Sequence, residues 1–414
     1  MPVAFIAVGI DSSDAHHDLC FLTPDGAELK LRIPNNLTGF QRLLDELATR
    51  WPDTPARLAI ENPRNLLARF LLVSGSALYA INPLAVAHLR KGLAHTGAKS
   101  DPLDARVLAI LMQQGRDEQL HPLRSNSSQG ALVAGLVEQR RSWVTEKTRL
   151  QNQLTAVLKG FYPRLRELVA DLDAQITRAM LRAYPSPTLL RGATWEEWQA
   201  LFAGGRYPQP ARIPKLWEQA QAPQVPVDPL VEQLEQQQVR RLARVLDVVH
   251  EELQKLDAAI AEAFAAHPDA DFFRSLPGAA QVLAPSLLAL FGDNRERWQD
   301  WRQVAMYAGT APITVSSGKQ HRVQMRFHCD RESRNILHLF AGASRAGCEW
   351  ADDYYQAQKA RGKSHSGALR NLAHKWLPII FRLWQDQVVY DEAIYLAARE
   401  RRQAPKAAAT QLAA

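Results

Sequence analysis

The chain has 414 residues, 46% of them hydrophobic and 22% charged, with 50 Lys plus Arg against 43 Asp plus Glu for a formal net charge of +7. That length and apolar content predict two or three domains with real cores and exclude a disordered chain, while the positive balance leans towards a polyanionic partner. Cys20, Cys329 and Cys348 lie far apart with no CxxC or Cys/His cluster, which argues against a zinc site or a disulfide framework and for a reducing cytoplasm. No apolar run reaches the roughly 18 residues of a membrane span. The start "MPVAFIAVGID" has neither the basic region nor the cleavage site of a signal peptide.

Residues 4–82 read as α/β. "AFIAVGID" is a continuous apolar run ending in a carboxylate, as a buried strand would be. "HDLCFLT", the turn "PDGAE" and "LKLRI" follow, so the first three runs predict an antiparallel meander. "LTGFQRLLDELATRW" is helical, "ARLAIE" is a strand ending at Glu61, "LLARFLLVSG" is helical and "ALYAIN" is a fifth strand closed by Pro83. The order βββαβαβα is that of a ribonuclease H-like fold. A doubly wound dinucleotide domain would open with a glycine-rich βα turn, and no GxGxxG or GxxxxGK[ST] is present.

Residues 128–158 predict one long helix rich in Arg and Lys. Residues 160–228, with many of the prolines and tryptophans, read as an inserted small helical module plus linker. From Leu242, apolar residues recur at Val245, Val249, Leu253, Leu256, Ile260 and Phe264, a helix stripe that serves either as core packing against the 128–158 helix or as a coiled-coil arm. In 270–398, "SLPGAAQVLAPSLLALFGD" is helix, Pro-Gly turn, helix, similar to a helix-hairpin-helix. The tail "APKAAATQLAA" reads as disordered. The division that results is 1–125, a helical arm at 126–268 with its insert at about 160–228, a C-terminal domain at 269–400 and a tail at 401–414.

The carboxylates carry the chemistry. Asp11 and Glu61 close strands that lie side by side in a ribonuclease H-like sheet. Asp101 and Asp104, at i and i+3, share one face of a helix start. Taken alone, that pair reads first as a helix cap, with Pro102 at the first turn. Four carboxylates converging without basic partners would repel, and a divalent cation relieves that repulsion. All-oxygen ligation favours Mg2+ or Mn2+ and suits phosphoryl transfer. Asp14 and Asp18 are expected to be solvated.

At these residues the chain resembles a known family. "VGIDSSDAHHDLCFLTPDG", "AIEN", "INPLAVAHLRKG" and "AKSDPLDARVLA" are similar to the N-terminal domain of the DEDD transposases of the insertion-sequence one-hundred-and-ten family, to which pilin-gene DNA invertases are related. "SLPGAAQVLAPSLLALFGD", "WRQVAMYAGTAPITVSSGK" and "GALRNLAHKWLPIIFRLW" resemble that family's second domain. The matches cover about residues 4–125 and 270–390. Two stretches depart from the family pattern: "ENPRN" after the glutamate, and "FHCDRESRN" after the serine motif.

The resemblance implies a RuvC-like domain, a coiled-coil arm and a mainly helical transposase domain bearing a nucleophilic serine. By motif match Asp11, Glu61, Asp101 and Asp104 are the tetrad and Ser317 of "VSSGK" is the nucleophile, with Ser316 its neighbouring rival. The resemblance also implies donor and target DNA, an element-encoded guide RNA that base-pairs with both, and a homo-oligomer, a dimer or tetramer. From Lys319 to Arg402 the count is 15 Lys/Arg and 9 Asp/Glu, net +6, so most of the excess charge lies there. Lys99, Arg106, Lys319, Arg322, Arg326, Arg334, Arg370 and Lys375 are the candidate nucleic-acid contacts, against a reading as plain surface charge. The competing readings are a metal-dependent resolvase-like endonuclease that activates water, a non-catalytic RNA/DNA-binding scaffold, and a sugar-kinase-like ATPase suggested by "VGIDSSDA" but lacking its later phosphate loops.

Overall fold

The apolar run before Asp11 forms strand β1 (Ile6–Ser12), which β2 (His16–Leu22) and β3 (Glu28–Pro34) extend as an antiparallel meander. Helix α1 (Leu37–Arg50), capped by the Asn36 side chain on the Gly39 amide, leads to β4 (Ala56–Ile60), parallel to β1. Helix α2 (Leu66–Val73) leads to β5 (Ala77–Ala80), parallel to β4. The resulting order, β3-β2-β1-β4-β5, is a mixed five-stranded sheet of the ribonuclease H-like kind. Helices α3 (Pro83–Leu93) and α4 (Asp101–Gln114) complete this part. The computed structural model describes residues 4–63, 65–81, 83–93, 101–115, 122–168, 171–205, 207–317, 320–327, 329–394 and 396–397.

The central strand is apolar throughout because both of its faces are covered. Val8 and Ile10 pack with Leu58 and Ile60 against Phe40 and Leu43 of α1 and Leu67 and Leu71 of α2. Ala7 and Ala59 face the other way, onto Ala105, Leu108 and Met112 of α4. Each large aliphatic side chain so buried contributes about 1.5–3 kcal/mol.

The chain divides into two compact units, one of Met1–Ala131, Ser275–Gly278 and Leu290–Ala414, the other of Leu132–Arg274 and Ala279–Ala289. The second unit is helical: α5 (Ser128–Phe161), α6 (Pro163–Leu168), α7 (Gln175–Ala183), α8 (Pro187–Arg191), α9 (Trp195–Gly204), a 3-10 turn at Pro210–Arg212, α10 (Ile213–Gln221) and α11 (Pro229–Ala265). Its core joins Leu150, Leu154 and Leu158 of α5 to Trp198 and Phe202 of α9 and to Leu242, Leu246, Val249 and Leu253 of α11. The apolar stripe of α11 thus packs within the chain. It runs through Leu246 rather than Val245, which is 46% exposed. Steps of three or four leave both positions open, and the burial decides between them.

The C-terminal part comprises α12 (Ala270–Ser275), α13 (Leu283–Phe291), α14 (Trp301–Tyr307), a hairpin of β6 (Ile313–Ser317) and β7 (Gln320–Gln324), then α15 (Arg331–Ser344), α16 (Glu349–Ala360) and α17 (His365–Asp386). Gly278, in the turn after α12, has φ +75°, and a Cβ there would lie 2.5 Å from the Ala343 carbonyl carbon, so this turn is pressed against the end of α15. The hairpin was not expected from the sequence. Register Ser317↔Gln320 leaves two connecting residues, Gly318 and Lys319, both outside the described residues. The tail at 401–414 also lies outside the described residues. Among the described residues no helix is long and apolar enough to cross a membrane.

Candidate functional site

Parallel pairing of Ile10 with Ile60 brings the ends of β1 and β4 level, so Asp11 and Glu61 emerge together at one edge of the sheet. Helix α4 then lies across β1 at Gly9. A Cβ on Gly9 would fall 1.9 Å from the Ala105 carbonyl oxygen and 2.5 Å from the Ala109 amide nitrogen. Small residues at i and i+4 of α4, opposite a glycine in the central strand, therefore set how closely helix and sheet approach. Asp104, one residue before Ala105, is thereby brought to the strand ends. A cavity of about 260 Å³ is lined by Ile10, Asp11, Ser12, Glu61, Asn62, Val86, Arg90 and Asp104.

Three of the four expected carboxylates share this cavity. Asp101, exposed at the first turn of α4, groups instead with His16 and Asp18, the donor atoms all lying within 4.8 Å of one another. Asp18 is not solvated as expected: it is 7% exposed and receives Arg32 Nε and Nη2 on its two oxygens at 3.0 Å each. That pair, with a contribution from Asp101, holds the Arg32 guanidinium above its usual pKa. Asp14 is exposed.

Nor do the carboxylates converge without basic partners. Arg90 of α3 donates from Nη1 to both oxygens of Asp104, at 2.7 and 2.9 Å. Sequence reasoning missed Arg90, His16 and Arg32 as members of the site. Arg90 lies in "INPLAVAHLRKG", but nothing local ties it to Asp104 fourteen residues later. The divergent "ENPRN" has a structural use, since Asn62 lines the cavity and the Asn65 side chain caps α2 through the Ala68 amide.

Ser317 is the last residue of β6 and Ser316 pairs with His321. Arg322 is exposed on β7 opposite Val315. Arg334 of α15 donates from Nη2 to the Arg326 carbonyl and to Cys329 Sγ, and a Cβ on Gly309 would lie 2.6 Å from that same nitrogen. The Nε atoms of Arg326 and Arg334 are buried without a hydrogen-bond partner. Burial, aided by Arg334, lowers the pKa of Arg370, and burial with His365 and Arg370 nearby lowers that of His338. Arg334 and Arg370 thus form a partly buried basic cluster between α15 and α17. Lys375 is exposed. Arg106 donates to Glu28 at 2.8 Å. Lys99 and Lys319 lie outside the described residues. The "CDRESRN" departure also has a use: the Asp330 side chain accepts from the Ser333 amide and caps α15, and Arg334 follows in its first turn.

Comparison with known proteins covers both ends of the chain. A family profile of IS110 DEDD type, described as a transposase, matches residues 8–163, and one described as "Transposase IS116/IS110/IS902 family" matches residues 270–356. The "Mini-circle putative transposase for IS117" of Streptomyces coelicolor is 31% identical over 93% of this chain and 95% of that protein. The "Insertion element IS110 uncharacterized 43.6 kDa protein" of the same organism is 28% identical over 93% and 95%. The "Insertion element IS900 uncharacterized 42 kDa protein" of Mycobacterium paratuberculosis is 25% identical over 94% and 98%.

Proposed function

Because the chain belongs to the IS110 family of insertion-sequence transposases, we propose that it cuts and rejoins DNA through a phosphoserine link at Ser317, assisted by Mg2+ (or Mn2+) at Asp11, Glu61 and Asp104, with Asp101 grouped apart with His16 and Asp18. The observation that carries the proposal is the meeting of Asp11, Glu61 and Asp104, from three separate segments, around one cavity of about 260 Å³. The donors are all carboxylate oxygens, which suits a hard divalent ion. The chemistry such an ion supplies when bound is polarisation of the scissile phosphate and relief of charge on the leaving oxygen.

The remaining steps belong to the chain's own residues. Ser317 Oγ forms a bond to phosphorus as the bond from phosphorus to one deoxyribose oxygen breaks, and the serine's proton ends on that departing oxygen. One phosphodiester is exchanged for one phosphoserine, so religation needs no nucleotide cofactor. Arg322, Arg326, Arg334, Arg370 and Lys375, with Lys99, Arg106 and Lys319, engage nucleic-acid backbone, in keeping with the net +6 between Lys319 and Arg402. A guide RNA selects donor and target DNA by pairing, and the chain works as a homo-oligomer, a dimer or tetramer, with the long helices as its arm.

A suicide DNA substrate tests this. Wild-type protein is expected to form a covalent adduct that Ser317→Ala abolishes and Ser316→Ala retains. Strand transfer is expected to fail in chelator and in Asp104→Ala. Cleavage by the wild type with no adduct would refute the phosphoserine and favour hydrolysis by activated water.

A further inference from the structure

The carboxylate cavity already holds a cation of the protein's own. Arg90 stands in the last turn of α3, and its Nη1 lies 2.7 and 2.9 Å from the two oxygens of Asp104. A nitrogen almost equidistant from both oxygens sits near the bisector of the carboxylate, the line along which a cation held by both oxygens approaches. Asp104 is 5% exposed and the Arg90 side chain 27%, so the pair is only weakly screened by water and salt. Asp11 and Glu61 line the same cavity, so the arginine's charge also offsets theirs.

We propose that Arg90 is a positioning residue that serves as the resident counter-cation of this cavity, neutralising Asp104 until a divalent ion takes that carboxylate from it. The inference rests on reading the carboxylates as a metal site. No proton or electron moves; one cation exchanges for another. An arginine is suited to this because its guanidinium is a fixed cation with a planar fork that a carboxylate accepts and a competing cation can displace. Once displaced, the guanidinium stays tethered at the cavity wall, where its planar fork matches the oxygens of an incoming phosphate. The opposite role is that of an arginine that holds Asp104 in a ligating pose. The two roles differ in the sign of one measurement.

That measurement is Mn2+ binding to the full-length chain, followed by the electron paramagnetic resonance signal of the free ion, for wild type, Arg90→Ala, Arg90→Lys and Asp104→Asn. Loss of a partly buried charge-assisted pair is expected to tighten Mn2+ binding by about ten-fold in Arg90→Ala. Arg90→Lys, which keeps the charge but not the fork, is expected to fall between Arg90→Ala and wild type, and decides the matter if the alanine variant does not fold. Without metal, Arg90→Ala is expected to melt below wild type, the gap closing as Mn2+ is added. Binding in both arginine variants equal to or weaker than wild type, with Asp104→Asn still impairing it, overturns the role of Arg90 and leaves the metal site standing. Mn2+ binding by wild type that Asp104→Asn does not affect overturns both.

Discussion

Gly9→Ala is the most informative single change in the N-terminal sheet. The added Cβ would lie 1.9 Å from the Ala105 carbonyl oxygen, 2.5 Å from the Ala109 amide nitrogen and 2.9 Å from Leu108 Cβ. Ordinary contact begins at 3.4 Å, so α4 must retreat from β1 by about 1.5 Å. The obstacles are mostly backbone atoms, which no side-chain rotation can clear. Overpacking a core costs about 1–3 kcal/mol, and a backbone clash belongs at the upper end, about 3 kcal/mol. At roughly 2–4 °C per kcal/mol, melting should fall by roughly 6–12 °C. A polyvalent site tolerates displacement of only about 0.5 Å, so Asp104 should leave the cavity and Mn2+ binding should weaken by about ten-fold or more. Calorimetry and Mn2+ titration read the two effects. Gly135→Ala is the control: it lies in α5 with nothing within 4 Å of its Cβ, and should raise stability by about 0.5–1 kcal/mol. If Gly9→Ala melts with wild type and binds Mn2+ equally well, α4 does not seat on β1 as described and the route by which Asp104 reaches Asp11 is wrong.

Two further outcomes follow from the geometry. His17, His250, His338 and His374 are each held below the ordinary value of 6.5, chiefly by burial. The unfolded chain therefore takes up protons before the folded one, so their contribution is complete above 6.5 and is lost as pH falls through 6.5 towards the folded values. The melting temperature should drop from about pH 7.5 to about pH 5, and His374→Gln should shrink that drop; an unchanged pH profile in the variant would count against the burial of His374. Gly309→Ala places a side chain at φ +65° and 2.6 Å from both Arg334 Nη2 and Cys329 Sγ. Arg334 can swing aside but Cys329 Cβ, 2.8 Å away, cannot, so stability should fall by more than the roughly 1–2 kcal/mol of the left-handed φ alone. The slope of DNA affinity against salt should fall by about one charge if Arg334 meets a phosphate; equal slopes by filter binding would remove Arg334 from the DNA contacts.

The order of strands and helices in the N-terminal part was legible because it is written locally. Unbroken apolar runs mark strands covered on both faces, and a carboxylate at the end of such a run marks a strand end, as with Asp11 and Glu61. Likewise the helix start at Asp101 follows from residues within one turn of it. The β6–β7 hairpin was only half legible: Ile313, Thr314, Val315 and Ser316 alternate apolar and polar along β6, but the polar run of β7 carries no such pattern to announce a partner strand.

Other features depend on which faces meet, and only the tertiary structure decided them. Two carboxylates three residues apart on α4 serve different neighbourhoods: Asp104 turns to the cavity with Asp11 and Glu61, and Asp101 to His16 and Asp18. The charge on Asp18 lies buried because Arg32, across the β2–β3 pairing, reaches both its oxygens. Leu246 rather than Val245 enters the core of the helical unit because the packing partners of α11, not its own periodicity, select the face. Arg90 meets Asp104 because Gly9 admits α4 to within backbone contact of the central strand. Spacing along a chain records which residues can share a face, whereas the charges and cavities of a site arise from the facing element, whose approach is set by packing and not by spacing.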